Sequence, residues 1–231
     1  MRRKSDKSKQ KEGYGTGHGA DYKPYIRTAE FNSSGTCANP VDWKTGRTVQ
    51  LLSQGEKYFW YLMRWNDHVT DIREQFPLPV EDTMQIAEQY VIQHPRKGSE
   101  LAIMTSDFLV DFDDNTQGVF SIKASKKDVE MLERTIEKLF IEKKYWESQG
   151  IPFHLVYKED LNITYAENIR AAVQYYVLSD VHDSVSMAKY MVANKMLIMD
   201  KEMQTKQINF KELAEEFKEL IEFKDRKKIG E

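Results

Sequence analysis

The chain has 231 residues, 40% of them hydrophobic and 31% charged, enough to bury a real core as one domain with an appendage or as two small domains. Its net charge of −3 singles out no partner, so any nucleic-acid surface must come from local clustering of charge. Cys37 is the single cysteine, which excludes an internal disulfide; no apolar run approaches a membrane span and none follows the basic start as in a secretory signal, so a cytoplasmic protein is expected.

Residues 1–12, MRRKSDKSKQKE, carry six Lys or Arg with almost no apolar residue and read as a flexible basic arm. Such an arm either contacts phosphates through a salt-sensitive attraction or is a solvated tail. Gly13 to Gly19 contains a G-x-G pattern, but no strand precedes it and no apolar helix follows, so the dinucleotide and P-loop readings fail and a loop with unusual backbone angles is expected. A turn-rich connection then leads to a hairpin expected around Asp42 to Arg47, with Thr48 to Leu51 as its second strand.

Ser53-Gln54-Gly55-Glu56 opens a run whose Phe59, Trp60, Leu62 and Met63 follow helical spacing. Ser53 is the expected N-cap and Glu56 the third helical residue, the arrangement of a capping box. Val69 to Phe76 reads as a strand or extended edge that Pro77 and Pro79 end, and Asp82 to Val91 as a short helix. The basic loop from His94 to Gly98 precedes the next strand, where Arg96 and Lys97 either hold a nucleic-acid strand or simply face solvent.

Two β-rich runs, Ser106 to Phe112 and Gly118 to Ala124, flank the polar turn 113–117 and read as a hairpin. Antiparallel pairing brings Asp107 and Lys123 together at its open end. An acid and a lysine on otherwise apolar strands cost desolvation energy unless they pair or bind a charged ligand. Residues 126–150 are expected as a long amphipathic helix with Leu132, Ile136, Leu139 and Phe140 as its buried stripe, and 151–156 as a central strand. From about residue 161 helical patterns dominate, over Ala166 to Leu178, Ser184 to Met199 and Phe210 to Phe223.

The order strand-acid, turn, strand-lysine resembles the PD-(D/E)xK, or restriction-endonuclease-like, superfamily, although the position two before the lysine is Ser121 rather than an acid. From Gly13 to about Tyr176 the chain further resembles TnsA, the endonuclease family of heteromeric transposases. The matching blocks are GYGTGHGADYKPY, SSG with KTGR, DIREQFPL, TSDFLVD and RTIEKLFIEKKYW, at consistent spacing. That resemblance implies an α/β fold: a restriction-endonuclease-like central mixed sheet flanked by helices over residues 13–160, followed by a small helical, winged-helix-like region over 161–231 for partner contacts.

It also implies catalytic residues at Glu56, Asp107 and Lys123, with Glu142 as a further glutamate and Ser121 where the family usually carries Gln. Lys23 and Arg27, with the basic loop at Arg96 and Lys97, become candidate DNA contacts. Two carboxylates and the backbone carbonyl of Ile122 suit one or two Mg²⁺ ions, with Mn²⁺ as substitute. The reaction implied is hydrolysis of the 5′ strands at transposon ends in double-stranded DNA, beside a DDE-type transposase, TnsB, and an AAA+ ATPase, TnsC. Two alternatives remain: a nuclease fold turned DNA-binding or structural module, or a related host or phage nuclease.

Overall fold

In the computed structural model of the protein, residues 4–30 and 37–221 are described. The SSG block at 33–35, the first three residues of the basic arm and the end of the last expected helix lie outside them. The chain divides into two compact units, Met1–Leu161 and Asn162–Glu231.

The first unit is built on a four-stranded mixed sheet. Its strands are β1 (Val69–Pro77), β4 (Thr105–Phe112), β5 (Gln117–Lys123) and β6 (Phe153–Tyr157), in the order β1-β4-β5-β6. β4 and β5 form the expected hairpin, closed by a turn in which Asn115 takes the left-handed conformation. β5 and β6 run parallel, as a crossover through helices requires. A separate short hairpin pairs β2 (Arg96–Lys97) with β3 (Glu100–Leu101).

Neighbouring residues on a strand face opposite sides of a sheet, and the two sides here are covered by different helices. On one, helix α2 (Gln54–Trp65) sets the Phe59 ring 5.2 Å from Phe108 and 5.0 Å from Phe120. On the other, Leu109 and Val119 pack with Tyr145 and Trp146 of α5 (Glu133–Ser148). Helix α3 (Val80–Gln89) joins this layer through Ile86.

Several expectations are corrected. The described part of the basic arm is helical: α1 (Asp6–Lys11) is capped by Ser5, and Lys9 is buried, its ammonium donating to the Tyr25 carbonyl at 2.7 Å and to Glu30 at 2.6 Å. The 42–51 hairpin reduces to two isolated bridges, Ala38 with Leu51 and Val41 with Thr48. β6 is an edge strand, because its single partner is β5. The helix expected over 126–150 breaks between α4 (Lys126–Glu130) and α5, leaving Leu132 and Ile136 exposed while Leu139, Ile141, Glu142, Tyr145 and Trp146 are buried.

The glycine loop at 13–19 has the expected backbone: all four of its glycines have positive φ. A Cβ at Gly15 would lie 2.2 Å from Pro77, so this loop lies directly against the end of β1. Behind it a buried ion pair ties the turn at 42–47 to the sheet. Arg47 meets Glu74 of β1 in two bonds of 2.6 and 2.7 Å, and Glu74 also accepts from the Gln50 N–H.

The second unit holds α6 (Ile163–Val173), α7 (Ser184–Ala193), α8 (Lys201–Thr205) and α9 (Phe210–Glu216). Ile169, Met187 and Met191 are buried within it. Buried Asn168 joins α6 to the α8 region by donating to Met203 and Lys206 carbonyls and accepting from the Ile208 N–H. Among the described residues this unit has no strand and no wing.

Removing one partner of a buried ion pair strands the other's charge. Arg47→Met is expected to lower unfolding free energy by about 3–5 kcal/mol, read from the urea midpoint.

Candidate active site

The backbone ladder between β4 and β5 runs from Asp111–Gln117 to Phe108–Phe120 and then opens. Beyond that point the Ile122 N–H has no β4 carbonyl opposite it, and it donates instead to Asp107 Oδ2 at 2.6 Å. An aspartate that short-circuits the ladder is fixed by the backbone itself. Ser121 Oγ lies 3.4 Å from the same oxygen and Lys123 Nζ 3.5 Å from it. Lys123 also donates to Ser121 Oγ at 2.9 Å and to the Ile122 carbonyl at 3.1 Å. That carbonyl, expected as a metal ligand, is therefore engaged by the lysine.

Glu56 arrives from the α2 side. The Ser53 hydroxyl accepts from the Glu56 N–H at 3.1 Å, as an N-cap does. The glutamate does not bond back to complete a box: its Oε2 accepts from the Leu52 N–H at 2.9 Å and from Gln75 Nε2 at 3.1 Å. Gly55 permits the approach, since a Cβ there would meet Ile122 Cγ2 at 2.9 Å. Burial, then the nearby Asp107 charge, hold the Glu56 carboxyl well above the ordinary carboxylate range.

Glu142 enters from the α5 side. It is buried, and its Oε1 has no hydrogen-bond partner. Burial and the Asp107 charge push its pKa up to about 8, a rise partly offset by the Ser106 and Ser121 hydroxyls. Ser106 is itself anchored by the Trp146 indole at 2.7 Å. The open end of the hairpin thus gathers Asp107, Ser121, Lys123, Glu56 and Glu142, from both faces of the sheet.

The four expected DNA contacts lie elsewhere. Lys23 donates to the Glu12 carbonyl, Arg27 sits 5.3 Å over the Tyr14 ring and Lys97 pairs with Asp6 at 3.5 Å, all against the N-terminal segment. Arg96 donates to Ser99 within its own hairpin. Sequence reasoning assigned no role to Gln75, whose signal was its place in the DIREQFPL block.

It also passed over His18, Asp71 and Asp111, whose ligand atoms lie within 4.8 Å of one another. That cluster sits four residues along β4 from Asp107, about 13 Å away. Its carboxylates are already engaged: Arg73 and Gln117 each donate to Asp111 at 2.6 Å, and Asp71 accepts from the Gly19 and Ile72 N–H groups.

Among known proteins, residues 66–158 match the family described as TnsA-like endonuclease, N terminal. The match takes in Asp107, Lys123 and Glu142 and leaves Glu56 outside. Over 159 residues the chain is 40% identical to the transposon Tn7 transposition protein TnsA of Escherichia coli, an alignment covering 69% of this chain and 58% of that relative.

Folded Glu142 keeps a proton that the unfolded chain releases above the ordinary carboxylate range. The stability this confers is complete below that range and drains as pH climbs to about 8. Without divalent metal, Glu142→Gln should melt near the wild type at pH 5 and several degrees above it at pH 8 to 9, measured by thermal denaturation across pH.

Proposed function

We propose that this chain is the endonuclease subunit of a heteromeric transposase, cutting DNA with a divalent metal ion, a reading supported by the match of residues 66–158 to the family described as TnsA-like endonuclease, N terminal. The observation that carries the reading is a charge imbalance at the open end of the β4–β5 hairpin. Glu56, Asp107 and Glu142 converge there with one ammonium, Lys123, in hydrogen-bond reach of Asp107. Crowded carboxylates repel unless protonated or shared with a cation.

The donor set fits Mg²⁺, or Mn²⁺ in its place, because both favour hard carboxylate oxygens. Glu56 and Asp107 would hold the ion, and the unpartnered Glu142 Oε1 is the further oxygen for one or two ions. When bound, such an ion supplies Lewis acidity toward a phosphoryl oxygen and lowers the pKa of a nearby water.

The chain's own groups do the remaining work. The Ile122 N–H holds Asp107 by Oδ2, so the second oxygen is the one left to face a ligand. Lys123 is oriented by Ser121 and the Ile122 carbonyl, where its ammonium can hold the attacking water or offset charge gathering on the phosphoryl oxygens. Ser121 has no carboxylate to act as the missing acid and instead holds the lysine. Lys23, Arg27, Arg96 and Lys97 would meet the phosphates of double-stranded DNA, an attraction that weakens with salt.

By resemblance, the substrate strands are the 5′ strands at transposon ends, and the partners are TnsB, which processes the 3′ strands, and the ATPase TnsC. The helical unit from Asn162 onward is proposed to contact such partners. Because the chain spans 58% of the relative's length, these assignments rest on the shared domain rather than on a full-length match.

Saturable Mn²⁺ binding is expected in the purified chain, with or without duplex DNA, and Asp107→Ala and Glu56→Ala should each weaken it. With the partner subunits present, Lys123→Ala should slow 5′-strand cleavage roughly 100-fold. A chain that binds no metal under either condition would sink the proposal in favour of a structural module, and one that cuts equally well without Asp107 would overturn the assigned site.

A further inference from the structure

Gln75 is the least expected residue of β1. It is buried, yet its φ of 51° lies in the left-handed region, which a residue other than Gly, Asn or Asp seldom adopts inside a strand. It stands between Glu74, paired with Phe108, and Phe76, paired with Ser106, and so opposite Asp107. The alternation of the strand fails here: Ile72, Arg73, Glu74 and Gln75 are buried in succession. Backbone strain of this kind persists where surrounding structure enforces it, and the side chain shows what the enforcement achieves. The Gln75 amide donates to Glu56 Oε2 at 3.1 Å, while its own carbonyl accepts from the Tyr25 N–H at 3.3 Å.

We propose that Gln75 is a positioning residue for Glu56, a role that rests on reading Glu56 and Asp107 as ligands of a divalent cation. Two donors, the Gln75 amide and the Leu52 N–H, converge on Glu56 Oε2 and fix the carboxylate's rotation. The other oxygen is thereby turned to a cation shared with Asp107. An amide suits the task because it is neutral: a Lys or Arg here would cancel the charge that the cation needs, and a hydroxyl would not span the distance. Asn or Gly would relieve the backbone, but neither reaches Glu56. The strained glutamine satisfies both demands, reach and neutrality.

The test is an equilibrium Mn²⁺ titration of the full chain, run on the wild type, Gln75→Met, Glu56→Ala and the double variant, with thermal melting of each. Gln75→Met keeps the side chain's length and removes its donor. It should weaken Mn²⁺ about tenfold, the usual effect of losing a group that orients a ligand. In the Glu56→Ala background the same change should cost nothing further, because the two act as one unit. Unchanged affinity in Gln75→Met, or an equal loss with and without Glu56, overturns the positioning role.

Should Gln75→Met fail to fold, Gln75→Asn accepts the left-handed backbone and is one methylene too short. It should fold and show the same loss, and wild-type affinity in it also overturns the role. If the wild type itself binds no Mn²⁺, or binds it independently of Glu56, the metal-site reading falls and takes this role with it. That outcome is distinct from a wild type that binds through Glu56 while the Gln75 variants bind equally well.

Discussion

One hydrogen bond organises the first unit: the Ile122 N–H to the Asp107 carboxylate. A buried backbone donor must find an acceptor, and where β4 and β5 part the aspartate supplies it. The parting makes room at the sheet's end, and both layers of helix close on it. Gly55 lets α2 come down on Ile122, and the Trp146 indole holds α5 against Ser106. Each helix delivers one glutamate beside Asp107, which neither could approach at the middle of a packed sheet. Desolvation and the Asp107 charge then raise both glutamates, so the site is an unfavourable place to be negative until a cation shares the charge.

β1 supports this from the side. An edge strand ordinarily exposes polar groups, yet here Arg73, Glu74 and Gln75 are buried in a row. Glu74 is balanced by Arg47 and by the Gln50 N–H, so the loop before α2 is fastened to β1 by charge. Gln75 takes the next position along, where it reaches Glu56. The glycine loop lies over the end of the same strand, at Pro77, and none of its four positive-φ glycines holds a nucleotide motif.

The hairpin and its acid–lysine pair were legible because a period of two around a polar turn is a local signal, and so was the Ser53 cap. What failed was burial. Residues 151–156 read as central because they are apolar, whereas β6 is an edge whose strand residues remain partly exposed. The stripe expected from Leu132 to Phe140 misjudged α5, since a helix rich in Glu and Lys hides which glutamate turns inward. Glu142 is chemically identical to its exposed neighbours, so periodicity could not separate it from them; the resemblance pointed to it, and packing is what turns it inward. Neither the left-handed backbone of Gln75 nor the burial of Lys9 in a basic segment has a sequence signature. Both are set by contacts distant in the chain, with Glu56 and with Tyr25 and Glu30.

A ladder N–H ordinarily exchanges its hydrogen with water when strands separate. The Ile122 N–H is different, because its acceptor is a side chain that can rotate while the sheet stays intact. Its exchange therefore does not require the hairpin to open and also follows the orientation of one carboxylate. The backbone at this position is a native reporter of Asp107, legible to amide exchange or to the nitrogen and proton shifts of a single residue, with no label attached at the site and no substrate required.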